Sequence, residues 1–241
     1  MLGLLLPRSV PAGVQCDGID DLLTTGVALS EFVTPGAFTV MGWIRVLNGA
    51  PTSVQCWNGG PMTTDAGGYH ALGRTSSTQF CGNMYDAGTG LQMLTTPSSP
   101  NWHHLALSLG GGTLTLFLDG VATGSLNPVG NITNVTHHVQ LCQSLEGQTL
   151  SDIIEDMRYY DVALSVVEIE VLAQSRRRDV GRTLPSVHWT LDGCSDGSSA
   201  QGTVFADRSG HGRPAAGNDG ANNAGLTCRA SEFVTYGWGV D

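Results

Sequence analysis

This 241-residue chain sets chemically able side chains side by side at Glu155-Asp156, His103-His104 and His137-His138. Splitting a glycosidic bond takes two carboxyl groups converging on one sugar, one to give a proton and one to attack or to activate water. Neighbours on a strand point to opposite faces, so Glu155 and Asp156 are expected to diverge, and the same alternation separates the members of each histidine pair. Glu168 and Glu170 fall in a helical segment. All four acids therefore read as structural or solvated, and no catalytic residue is expected. The chain has no HxH and no CxxC pair, so a zinc site would have to gather its ligands from distant strands.

Calcium is the closer case. Asp17, Asp20 and Asp21 in the string DGIDD could supply hard oxygen ligands, but the simpler reading is a chain turn, and no metal site is assigned. The string from Asp192 to Gly197 begins like a calcium loop, yet cysteine holds its third place and Thr203 stands where a bidentate glutamate belongs. No cofactor is expected, with calcium the one to test. For sugar binding, Trp43, Trp57, Trp102, Tyr69 and Tyr85 offer flat faces on which pyranose rings pack, although buried aromatics commonly serve the core. Within Phe38–Val46 the alternation places Thr39, Met41, Trp43 and Arg45 on one face. We take Trp43, Arg45, Trp57 and Tyr85 as the ligand-binding candidates.

Charge narrows the partners. Eleven arginines, no lysine and 21 acids leave a formal charge of −10, which repels phosphate backbones and anionic lipid, so no nucleic-acid partner is expected. Without lysine there is neither a phosphate-binding GxxxxGK loop nor a Schiff-base mechanism. No stretch approaches the ~18 apolar residues of a membrane helix, and no membrane insertion is expected. The apolar run at the amino terminus (Met1, Leu2, Leu4, Leu5, Leu6) is short, lacks a preceding cation and ends at Pro7-Arg8, unlike an export signal. It is expected to dock on a partner surface. The six cysteines are widely scattered in a chain large enough to hold together without bridges, so buried free thiols are expected, with a disulfide between distant positions as the alternative.

The elements that position these side chains are mainly strands. The stretch from Trp102 to Gly120 spells two of them: Leu105, Leu107 and Leu109 share one face, Gly110–Gly112 turn the chain, and Leu114, Leu116 and Leu118 repeat the pattern. Asp119-Gly120 suits a two-residue hairpin turn leading to a further strand from Val121. Other candidates are 53–57, 69–73, 78–85, 90–94, 136–142, 153–160, 187–191 and 232–240, punctuated by 33 glycines and ten prolines. One helix is expected near Ser165–Ser175, with Ser165 and Glu168 forming a capping box, Val166, Ile169 and Leu172 on one side, and Arg176–Arg178 at its negative end. Residues 191–227 turn toward Gly, Ser, Asn and Asp and read as long loops. A one-sided apolar meander needs a second sheet to cover it, so the fold class is all-β: a two-sheet antiparallel β-sandwich with one short helix.

Several strings in order resemble the concanavalin A-like lectin and glucanase superfamily, in particular its laminin-G-like jelly-roll branch. They are Asp17-Gly18-Ile19-Asp20-Asp21, Phe38–Val46, Asn101-Trp102-His103-His104-Leu105, Leu116–Val121, and Ile154–Tyr160 running into Asp161–Ser165 and Glu168-Ile169. The resemblance implies a jelly roll over 15–183, preceded by an amino-terminal arm (1–14) and followed by a Gly/Ser/Asn-rich segment (184–241). Trp189–Asp192 and Asp207–Gly212 look like the opening of such a domain but follow its closing helix. This implies either a permuted sandwich, completed within one chain, or a segment that completes a neighbouring subunit. The ExDxxE strand that glucanases of the superfamily share is absent, which leaves a binding role. Domains of this branch recur on bacteriophage particles, so the expectation is a non-enzymatic virion surface protein made in the host cytoplasm. It would dock on capsid or tail proteins, form a homo-oligomer on the particle and hold host glycans. The alternative is a secreted or cell-surface carbohydrate-binding module, with a degenerate glycosidase third.

Overall fold

The computed structural model describes residues 12–18, 21–28, 36–47, 63–64, 70–76, 78–86, 90–127, 138–142, 151–175, 183–218 and 226–230. In chain order its strands are β1 (Ala12–Gln15), β2 (Leu22–Ala28), β3 (Phe38–Val46), β4 (Thr63–Thr64), β5 (His70–Ser76), β6 (Gln79–Asp86), β7 (Gly90–Pro97) and β8 (Trp102–Gly110). They continue with β9 (Thr113–Leu118), β10 (Val121–Leu126), β11 (His138–Leu141), β12 (Asp152–Tyr160), β13 (Val187–Trp189), β14 (Val204–Phe205), β15 (Ala215–Asn218) and β16 (Thr227–Ala230). The helix α1 spans Val166–Gln174. The segments expected at 53–57 and 232–240, the amino-terminal Met1–Leu6 and the Arg176–Arg178 run lie outside the described residues.

The larger sheet runs β10-β9-β8-β3-β12-β1-β16, with β13 pairing to the far half of β12 beyond the end of β1. Two smaller sheets, β14-β15-β2-β11-β4 and β5-β6-β7, make the opposing layer, and all the pairings are antiparallel. Between the layers lies one core, where Phe38, Val40, Ile44, Leu105, Leu107, Leu109 and Ile154 from the large sheet meet Leu23, Leu72, Phe80, Met84 and Leu141. Burying such side chains contributes about 1.5–3 kcal/mol each. The layers touch closely at Gly82 of β6, where an added Cβ would sit 2.6 Å from Leu107 of β8.

Local chemistry explains the hairpins. Asp119 (φ +52°) and Gly120 (φ +84°) both adopt positive φ, the two-residue turn whose twist suits its flanking strands. Gly111 and Gly112 do the same between β8 and β9. The capping box is present, with the Glu168 amide donating to Ser165 Oγ and Glu168 Oε2 accepting the Ser165 amide at 2.9 Å. Hydrogen bonds from the Ser165 side chain and backbone and from Thr183 hold the Glu168 carboxyl below its usual range. Ser165→Ala is expected to cost about 1 kcal/mol, read as a lower urea midpoint. Ile169, Leu172 and Ala173 are the buried residues of α1, whereas Val166, expected among them, is exposed at the first turn.

Three further expectations are corrected. The cysteines are not free thiols: Cys16 bridges Cys142, Cys194 bridges Cys228, and Cys81 is also disulfide-bonded. The first of these joins the end of β1 in one layer to the end of β11 in the other. The strand β1 begins at Ala12, inside the stretch assigned to the arm. Part of the 191–227 segment is strand, with β14 and β15 extending the smaller layer. Asp207 organises the bend after β14: its carboxylate accepts the amides of His188, Ser209 and Arg213. Burial raises its pKa, but the Ser209 hydroxyl and these amides outweigh that and keep it low. Trp189, fully buried, donates its indole N–H to the Arg213 carbonyl at 2.7 Å. The Trp189–Asp192 string thus pairs through Trp189 with β12 of its own chain, and Asp207 bridges in turn to Trp189.

Candidate functional site

The outer face of the large sheet is ordered in cross-strand rows. At one end Thr39 of β3 pairs with Ser108 and Tyr160, and its hydroxyl donates to the Val162 carbonyl at 2.9 Å and accepts the Leu164 amide. Those bonds fix the strap that leads into α1, whose Ile169 and Leu172 cover Met41, Ala106, Phe117 and Tyr160. Half of the stripe Thr39-Met41-Trp43-Arg45 is thereby closed to ligands.

The middle of the face is polar and buried. Arg158 pairs with Met41 on one side and His188 on the other. The Asp156 carboxylate accepts from His188 Nε2 at 2.6 Å and from Arg158 Nη2 at 3.1 and 3.2 Å. The expected divergence of Glu155 and Asp156 fails here because the β3–β12 register shifts between Glu155 and Arg158, leaving Asp156 at φ +54°. The bulge brings the Asp156 carboxylate to the side occupied by Arg158 and His188. Trp43, half-buried, meets His104 edge-on at 5.5 Å. Burial pushes the His104 imidazole down to about 4; Asp156 and Asp119 pull it up and Arg158 adds to the depression. His103, across the strand from this row, bridges Ser99 and Asp119 at 2.7 and 2.8 Å. For Asp119 burial acts upward, yet the His103 side chain and the His104 amide bring its pKa below the ordinary value.

Among the described residues the last row is left open. Register partners Trp102, Arg45, Ile153, Gln15 and Thr227 run in line across β8, β3, β12, β1 and β16. The first four, with Leu47, Asp196 and Arg229, line a cleft of about 310 Å³. Arg229 donates its Nε hydrogen to Gln15 Oε1 at 2.6 Å. Asp196 overhangs the row from the 194–200 loop, which is tied to β16 by the Cys194–Cys228 bridge and by bonds from the Gly197 amide to Cys228 and from the Cys228 amide to Ser198. Such a floor can stack an apolar sugar face on Trp102 while amide, carboxylate and guanidinium groups reach its hydroxyls.

Of the predicted ligand residues, Arg45 lines the cleft and Trp43 sits one row behind it; Trp57 and the Tyr85 side chain lie outside the described residues, as does Asp20. Asp21 is fully buried and accepts the Asp17 amide at 2.5 Å, so this part of DGIDD closes a turn. Among the described residues no group of three or more His, Cys, Asp or Glu side chains could hold a metal. Gly193–Gly197 spells GxSxG, a pattern absent from the residue expectations above, but it lies in this loop with no helix after it, unlike a nucleophile elbow. Gln15, Ile153, Asp196 and Arg229 were invisible to spacing, since Gln15 and Arg229 stand 214 positions apart.

A family model described as the concanavalin A-like lectin/glucanases superfamily, of the laminin-G type, matches residues 17–170. The chain belongs to that superfamily. No curated protein matches this lectin-like chain in sequence. Among solved structures, a Bacteroides ovatus protein proposed to bind carbohydrate aligns with a TM-score of 0.63 at 15% identity, over 94% of this chain and 62% of its own. A native heptameric SAP-like pentraxin from Limulus polyphemus gives 0.54 at 14% identity, over 75% of this chain and 90% of its own. The receptor binding domain of botulinum neurotoxin D gives 0.51 at 9% identity, over 71% and 46%. The lectin-like chain spans less than two thirds of the Bacteroides protein, and at these identities the likeness is one of fold.

Proposed function

We propose that this lectin-like sandwich is a non-enzymatic carbohydrate-binding module carried on the outside of a virion, and that the row-floored cleft is its sugar site. The observation that carries the binding reading is the placement of a half-buried Trp102 in line with Arg45, Ile153 and Gln15 across four strands, at the end of the face that α1 leaves uncovered among the described residues. A non-catalytic role is supported by the cleft lining, where Asp196 is the one carboxylate among the described residues; hydrolysis of a glycoside takes a pair. Glu155 and Asp156 lie buried behind it.

The bridged cysteines favour an oxidising exterior, such as a particle or cell surface. They support equally the second reading, a secreted or cell-surface carbohydrate-binding module. On a virion the chain would dock on capsid or tail proteins, in several copies, through Met1–Leu6. No helix among the described residues is long and apolar enough to cross a membrane. Glycan binding by the isolated chain should fall at least about tenfold in Trp102→Ala, given that ring stacking is worth roughly 0.5–1.5 kcal/mol beyond its buried area. Chelator should leave it unchanged. Binding to no glycan, or binding indifferent to Trp102, would sink the sugar-site reading. Stoichiometric copies on purified particles would separate the virion setting from the secreted one.

A further inference from the structure

Resting on that sugar site, we infer that its ligand is an acidic saccharide, a sugar ring bearing a carboxylate, anchored by Arg229. On a chain of net charge −10 with eleven cationic side chains, two of the eleven line this single cleft. Arg229 is the decisive one. Its Nε hydrogen goes to the neutral amide oxygen of Gln15, and no carboxylate of the described residues pairs with it. It is half-buried on β16, with the outward-facing Gln15 and Thr227 in the row beside it.

A guanidinium held through Nε keeps both terminal nitrogens in one plane, a fork that matches a carboxylate in two parallel hydrogen bonds. Partial burial strengthens such a bond. Gly13, the register partner of Arg229 across β1 and β16, fixes how closely β1 lies on β12: a Cβ there would meet the Ile154 carbonyl oxygen at 2.7 Å. Asp196 on the rim sets the limit on charge. A densely sulfated chain would bring repeated anions against it. Trp102 and Ile153 supply the apolar floor for the ring.

The test is calorimetry on the intact chain with a panel of uronic acid oligosaccharides and their carboxyl-reduced, neutral counterparts. The uronates are expected to bind about tenfold tighter or better, as a charge-assisted hydrogen bond pair warrants, and to weaken with salt. Arg229→Gln, which retains a side chain able to meet Gln15, should bring both ligands to the same affinity without changing the melting temperature appreciably. If that variant fails to fold, the wild-type comparison of acidic and neutral ligands still decides. Equal binding of the two overturns the acidic assignment while leaving a sugar site; tighter binding of sulfated oligosaccharides overturns the carboxylate; binding of no saccharide overturns site and ligand together.

Discussion

Replacing Cys16 and Cys142 together by alanine is expected to lower stability by about 5 kcal/mol in the loop-entropy description, more than loss of the Cys194–Cys228 bridge. The bond spans 126 positions and its Cα atoms stand 5.9 Å apart, so in the unfolded chain it closes a loop of more than half the molecule. It also ties β1 of the large sheet to β11 of the other layer. The Cys194–Cys228 bridge closes only 34 positions, and its removal should cost about 1 kcal/mol less. Guanidinium unfolding of the two double variants measures both. Midpoints indistinguishable from the parent, or the same with and without reductant, would show that neither bridge constrains the unfolded chain.

The second large effect is expected at Arg74 and Asp152. Arg74 of β5 reaches across the interior to the first residue of β12, with Nη1 at 2.6 Å from Asp152 Oδ1, and both side chains are buried. The same oxygen accepts the Leu47 amide at 3.0 Å. Asp152→Ala removes the oxygen that accepts from both Arg74 and the Leu47 amide, and should cost about 3–5 kcal/mol. Adding Arg74→Met should restore part of the loss, because it removes a buried donor together with its acceptor. A double variant as unstable as the single one would refute this.

Acidity gives the same site a second readout. Burial raises the Asp152 pKa to about 6 against a pull downward from Arg74, so the folded chain holds this proton more tightly than the unfolded one. Its contribution is therefore greatest below the ordinary carboxylate range and declines as pH rises to about 6. His104 works the other way: with its pKa down at about 4, the unfolded chain takes the proton first, and stability is lost as pH falls from 6.5 toward 4. The two slopes oppose each other over one window, each worth up to a few kcal/mol. From these groups the parent should be nearly level there, while Asp152→Asn exposes the rising limb due to His104.

The sheet pattern was legible wherever alternation and turn chemistry coincide. Leu105 to Leu118 with its two positive-φ turns, and Ser165 with Glu168, each carry their geometry in adjacent residues. The failures are equally physical. Alternation mispredicts Asp156, because a bulge is set by how β12 meets Gly42 and Met157 against β3, not by its own residue types. Short strands such as β1, β15 and β16 hold too few residues for a period to show, and gain their order from neighbours far away in sequence. The cleft inherits that difficulty. Arg45 stood out by its place in a long strand; Arg229, Gln15 and Asp196 become a site only after β1 and β16 pair.

That pairing has a practical side. Ala12 faces Ala230 across adjacent antiparallel strands, so the two described extremities of the sandwich lie next to each other at one border of the large sheet. A short peptide could join them and new ends be cut at the exposed Gly111-Gly112 bend, yielding a circular permutant with every strand in place. For the same reason the whole unit could be spliced into a surface loop of another protein with little distortion of its host, holding the Arg229 cleft beside the point of attachment.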